Sequence, residues 1–313
     1  MNQRFRIVVS LGLVLAGVIA CTPGEKRIGL DAASGKAFAP VAIYQNVSDL
    51  SLGEPIGIAV DLHGDMFIAD GLPGRILFIN SIGNSGSEFQ KPFRNPGFYP
   101  SDLKLHGFFL YAVDEVGRTL LRFDKDGAYR DLLLNFNEEI IGRRVSPYGL
   151  DVDPTGRVAV TDVENHRILV FDSYLSLEVV FGNYGSYPGQ LDTPEGVSFA
   201  GTGDLVVADS GNKRIQFFGE SGELLSVLPA EGGGNPLQRP RRAVVDDEGR
   251  TYVADPQAGR LFVFDKAGRL QESLYPEGAA DFSPTDVEVT RTGLLYVTDT
   301  ANRSLFVFKV MSY

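Results

Sequence analysis

The chain has no tryptophan, a single cysteine, three histidines and three methionines in 313 residues. One cysteine excludes a disulfide framework. The histidines, His63, His106 and His166, argue against a histidine-built metal centre. The first two fall in equivalent turns and the third in a different kind of loop. The longest apolar run, Ile7 to Ile19, is too short for a spanning helix, which needs about 20 residues. Basic residues are in deficit: the formal net charge is −11, so no nucleic-acid partner is expected. No nucleophile elbow, phosphate-cradling glycine loop or dinucleotide fingerprint stands out. Glycine, in contrast, is abundant at 36 residues, with 21 Phe and 12 Tyr, a composition of tight turns and strands.

The first twenty residues read as an export signal, with Arg4 and Arg6 ahead of the apolar run. Val18-Ile19-Ala20-Cys21 follows and resembles the lipobox of bacterial lipoproteins, with valine in place of the commoner leucine. That resemblance implies cleavage before Cys21, a lipid on its sulfur and an acylated amino group. It would also account for the lone thiol. Thr22, where aspartate would retain a lipoprotein at the inner membrane, implies the outer membrane in a Gram-negative host. Residues 21–39, without periodicity and rich in small and charged residues, read as a flexible tether. The expected location is the bacterial cell envelope, with the membrane reached through the lipid.

From residue 40 to 313 the chain repeats. A proline opens each of six copies: Pro55, Pro100, Pro147, Pro194, Pro240 and Pro284. About fifteen residues later each copy has an aspartate: Asp70, Asp114, Asp162, Asp209, Asp255 and Asp299. Nine residues after each aspartate stands a large apolar residue, Ile79, Phe123, Phe171, Phe218, Phe264 or Phe308. Each copy holds four strand signals, and four strands per unit of about 45 residues describe a β-propeller blade. The predicted fold is therefore all-β, a six-bladed propeller of four-stranded blades. The last copy ends before a fourth strand. The spare strand Val41–Val47 is expected to complete it and close the ring.

The units resemble the NHL repeat family. The resemblance rests on Pro194-Glu195-Gly196-Val197, Val207-Ala208-Asp209, Asn212 and Arg214-Ile215-Gln216-Phe217-Phe218, with similar runs in the other copies. It covers residues 55–313, is strongest in copies 3 and 4, and speaks for fold rather than activity. A residue repeated in every blade solves a problem that every blade has. The six aspartates are thus expected to accept backbone N–H bonds in the loop after the second strand. Arg75, Arg167, Arg214 and Arg260, five residues on, are expected to pair with them.

Function is sought where the copies differ. First strands line a propeller's channel, so the residues just after each proline should ring its mouth. The candidate ligand-binding residues are Asp102, Tyr148, Glu195, Arg241, Arg242 and Asp286, with Glu288 one step further in beside Lys104 and Asp151. The first reading is a binding or scaffold module that offers this face to an envelope protein or other ligand, with no catalytic residue assigned and no cofactor required. The alternative is a hydrolase or lyase using a channel cation such as calcium, with Asp102, Asp151, Glu195 and Asp286 as oxygen donors. Related amidating lyases hold zinc through histidines at the channel mouth, and no histidine follows any of the six prolines here.

Overall fold

Period-2 alternation of apolar residues after each proline makes strands, packing between neighbouring blades buries both of their faces, and the glycine-marked turns fold them back on one another. The computed structural model describes residues 39–47, 49–92, 97–229, 234–276 and 281–309. The expected export signal, Cys21 and nearly all of the expected tether lie outside the described residues.

Six four-stranded antiparallel sheets form the six blades of the propeller. Blade 3 is typical, with Pro147–Val152 innermost, then Val158–Asp162, Arg167–Phe171 and Leu177–Phe181. The inner strands of the others are Pro55–Val60, Pro100–His106, Pro194–Phe199, Arg242–Val245 and Pro284–Val289. In blade 6 the outer strand is Ala39–Tyr44, antiparallel to Ser304–Lys309, so both ends of the chain close one sheet. The predicted closing strand ends earlier than the sequence implied. The chain leaves the sheet at Gln45, whose carbonyl accepts the Leu52 N–H, and a small hairpin of Asn46–Val47 with Leu50–Ser51 leads to blade 1.

Apolar clusters fill the spaces between neighbouring blades. Ile56, Phe67 and Ile76 of blade 1, for example, pack with Leu103, Leu110 and Phe123 of blade 2. The large residue nine places after each aspartate is buried in all six blades. The inner strands approach closely, and glycine permits it: a Cβ on Gly149 would collide with the Glu195 carbonyl, and one on Gly196 with that of Arg241.

Candidate functional site

The six repeated aspartates are fully buried. Asp209 accepts from the Asp192 N–H at 2.7 Å, from Asn212 Nδ2, from Arg214 Nε at 2.7 Å and from Gln216 Nε2. Asp70 and Asp162 likewise take a preceding backbone N–H and the Nε of Arg75 or Arg167. Asp114, Asp255 and Asp299 also accept backbone N–H groups from both sides of their loops. The expected fourth pairing does not form. Arg260 donates to the Gly259 carbonyl and stacks on the Tyr275 ring, while Asp255 takes the Gln238, Arg239 and Ala258 amides instead. One feature of these loops escaped sequence reading. The fourth residue after each aspartate has positive φ in all six copies: Gly74, Arg118, His166, Lys213, Gly259 and Arg303. Glycine in two copies was the available signal; the bulkier residues in the other four hid it.

The mouth residues after the prolines converge. Ile56, Asp102, Tyr148, Glu195, Arg241, Arg242 and Asp286 line one cavity at the end of the channel. It is constricted, with about 10 Å³ open to the centre of a water molecule, room for roughly one water. Each inner strand is a sheet edge, so its channel-side N–H and C=O groups have no neighbouring strand to bond. Side chains from other blades supply the bonds. Asp102 accepts the Leu150 N–H at 2.7 Å, Asp151 the Phe199 N–H at 2.7 Å, and Asp286 the Ile58 N–H at 2.8 Å. Arg242 Nη1 donates to the Leu150 and Val197 carbonyls and to Asp102 at 2.9 Å. Its Nε lies 3.4 Å from Asp286 and makes no hydrogen bond. One layer further in, Lys104 Nζ sits 3.1 Å from Asp151 and 3.2 Å from Glu288.

The electrostatics follow from a buried Arg242 and a partly buried Lys104 set among four carboxylates. Burial works against the Arg242 charge, but Asp102, Asp286, Asp151 and Glu288 outweigh it and raise its pKa. Lys104 is raised too, because Asp151 and Glu288 overcome its burial. Burial pushes Asp286 up to about 7 despite Arg242, with Asp102 adding repulsion. Asp102 is raised by the same burial, opposed by Arg242 and its backbone bonds.

At the rim of the mouth, Arg239 Nε donates to Glu195 at 2.9 Å, and burial raises the Glu195 pKa against that pairing. Arg241 stacks 4.8 Å over the Tyr148 ring and makes no ion pair within 4 Å among the described residues; burial lowers its pKa. The loops around this polar centre carry exposed apolar residues: Leu72, Val116, Ile141, Tyr184 and Tyr187. They all lie on blades 1 to 4, on the face that holds the mouth. Sequence reading passed over them because it followed the repeated residues: Leu72 and Val116 are variable positions inside the aspartate loops, and Ile141, Tyr184 and Tyr187 lie in the connections between copies. His166 also lies there. Its Nδ1 accepts the Thr193 N–H at 2.9 Å and its ring packs on Tyr184.

The channel carboxylates do not form a cation cage. Those proposed as oxygen donors already face Arg242, Lys104 or, for Glu195, Arg239, and among the described residues no group of three or more His, Cys, Asp or Glu is placed to hold a metal. A resident calcium does not fit the side chains as they stand.

The NHL repeat family matches residues 146–171 and 191–218, which span the first three strands of blades 3 and 4. Protein brain tumor of Drosophila melanogaster is 30% identical over 131 residues, 41% of this chain and 12% of that protein. The chain thus spans only about an eighth of that relative's length. Among solved structures, a gluconolactonase from Xanthomonas campestris superposes with TM-score 0.66 at 17% identity, covering 93% of this chain and 99% of that one. Virginiamycin B lyase from Staphylococcus aureus gives 0.63 at 15% identity, covering 86% and 99%. At such identities the likeness is one of fold.

Proposed function

We propose that this chain, an NHL-repeat six-bladed β-propeller, is a binding module held at the bacterial cell envelope by a lipid on Cys21, and that its mouth face receives a protein partner. The observation that carries this reading is the contrast within that face. Its centre is closed by bonded charges and has space for about one water, whereas the loops around it carry Leu72, Val116, Ile141, Tyr184 and Tyr187 exposed to solvent. Apolar and tyrosine side chains around a rigid polar centre suit a protein interface. Tyrosine combines large contact area with few rotatable bonds to immobilise.

A hydrolase or lyase using a channel cation is the weaker reading. It needs carboxylates free to turn toward an ion, and Asp102, Asp151 and Asp286 each hold a backbone N–H of the next blade. Photo-crosslinkers placed at Leu72 and Tyr187 in the native envelope test the interface. A discrete adduct from both, and none from a crosslinker at Leu225 on the outer rim, is the expected result. No adduct from either mouth-face position sinks the proposal.

A further inference from the structure

The disc has a second face, opposite the mouth. It is made of the turns between first and second strands and between third and fourth strands. These turns touch one another: the Ser81 N–H donates to Asp65 at 2.7 Å, and Lys125 lies 3.4 Å from Asp61. The three most exposed large apolar side chains among the described residues all stand at tips of these turns. They are Leu62 at 91%, Tyr174 at 88% and Phe108 at 84%; the next, Tyr187 on the mouth face, is at 75%. They occupy three consecutive blades, 1, 2 and 3. Ile82, in the other turn of blade 1, is exposed beside them. The tips are held by short turns. Asp61 accepts the His63 and Asp65 amides around Leu62, and Asp172 the Tyr174 and Ser176 amides. Phe108 follows Gly107, which has positive φ. The corresponding turns of blades 4 and 5 expose no large apolar residue and carry charges of both signs, such as Glu220, Asp247, Glu248, Lys266 and Arg269.

The chain enters the propeller on this same face. Ala39 pairs with Lys309, the end of the third strand of blade 6. It therefore begins where the turn between third and fourth strands lies in the other five blades. Blade 6 abuts blade 1, which bears Leu62 and Ile82. From Cys21 to Ala39 the chain reaches at most about 60 Å, and any less extended path brings the disc closer.

We propose that the face bearing Leu62, Phe108 and Tyr174 rests on the phospholipid bilayer that holds the lipid of Cys21, so that the mouth face points away from the membrane. This rests on the lipid-anchor reading of Cys21. The side chains fit that role: phenylalanine, tyrosine and leucine partition into the interfacial layer of a bilayer. A lipid anchor alone leaves the orientation free, and three fixed apolar tips on one sector set it.

The absence of tryptophan supplies the test. Phe108→Trp and Tyr187→Trp each create a single indole reporter, one per face. Each variant is purified with its lipid and reconstituted into phosphatidylcholine–phosphatidylglycerol vesicles with brominated acyl chains. The Phe108→Trp protein is expected to lose about half its emission and shift to the blue, as for a side chain 5–10 Å into the headgroup boundary. The Tyr187→Trp protein should be unchanged. Quenching at position 187 instead, or at neither position in vesicle-bound protein, overturns the orientation. A blue shift of Phe108→Trp on concentrating the Cys21→Ser protein without lipid overturns it in favour of a second copy covering this face. Mass spectrometry of the mature N-terminus separates the two readings. An unmodified Cys21 overturns the anchor and the proposal with it; a lipidated Cys21 with an unquenched indole at 108 overturns only the face.

Discussion

Two rings of buried carboxylates run through this propeller, and they do different work. The outer ring, Asp70 to Asp299, is repeated once per blade and bonds at short range. Asp209 reaches no further along the chain than Asp192 on one side and Gln216 on the other. The inner set, Asp102, Asp151, Asp286 and Glu288, follows no repeat and bonds across blades. Asp286 holds Ile58, 228 residues away, and Arg242 holds Asp102, 140 residues away. A repeated residue shapes the unit, whereas these unrepeated ones join units into a ring. Blade 1 shows the complement. Its inner strand offers only Ile56, Gly57, Ile58 and Ala59, so it receives the Asp286 bond and returns none.

The largest effect should come from removing the cation that serves the inner set. Arg242→Met leaves Asp102 and Asp286 buried without their counter-charge and strips a donor from the Leu150 and Val197 carbonyls. Breaking a buried ion pair from one side costs about 3–5 kcal/mol. For a domain of this size that lowers the melting temperature by roughly 10 °C. Adding Asp102→Asn and Asp286→Asn should recover part of the loss, since the uncompensated charge is what costs. A triple variant no more stable than Arg242→Met would show that the inner set does not act as one charge network.

A single outer-ring change should cost less and act locally. Asp209→Ala deprives the Asp192 amide, Asn212, Arg214 and Gln216 of their acceptor, at about 2–3 kcal/mol once water enters. Hydrogen exchange should quicken around residues 190–216 and stay unchanged in blades 1 and 6. Arg242→Met should loosen inner strands around the ring. Equal exchange patterns from the two variants would dissolve the distinction between the rings.

The difference between the rings also explains what could be read from sequence. The outer ring and the blade count were legible because a period of about 45 residues is visible in one dimension. The positions facing the mouth were legible too, being fixed offsets from each proline. That Arg242 would face Asp102 and Asp286 was not, because contact across a ring depends on channel width, and spacing does not encode width. Arg260 misled for a related reason. It keeps the spacing of Arg214, but Tyr275 on the neighbouring outer strand offers its side chain a different partner. The exposed tips Leu62, Phe108 and Tyr174 were invisible as a set until the turns of three blades were placed on one face.

The smallest effect is a pH dependence led by the inner set, to which Asp209 and Asp299 of the outer ring, also raised by burial, add in the same direction. Burial raises Asp286 to about 7, above its ordinary value of 3.8. A carboxyl group raised on folding holds its proton more tightly folded than unfolded. Its contribution to stability is therefore complete below about pH 4 and is lost as the pH rises through about 7. Asp102, raised by the same burial, acts in the same direction. Stability should then fall by about 1 kcal/mol per pH unit between pH 5 and 7, below the ceiling of about 1.4 for one proton. Asp286→Asn, which cannot titrate, should reduce that slope more than Asp209→Ala does, since burial raises the Asp209 carboxyl in the same direction but without the Asp102 repulsion. Denaturant melts across this range check it. A wild-type slope surviving in Asp286→Asn would mean that Asp286 stays charged beside Arg242.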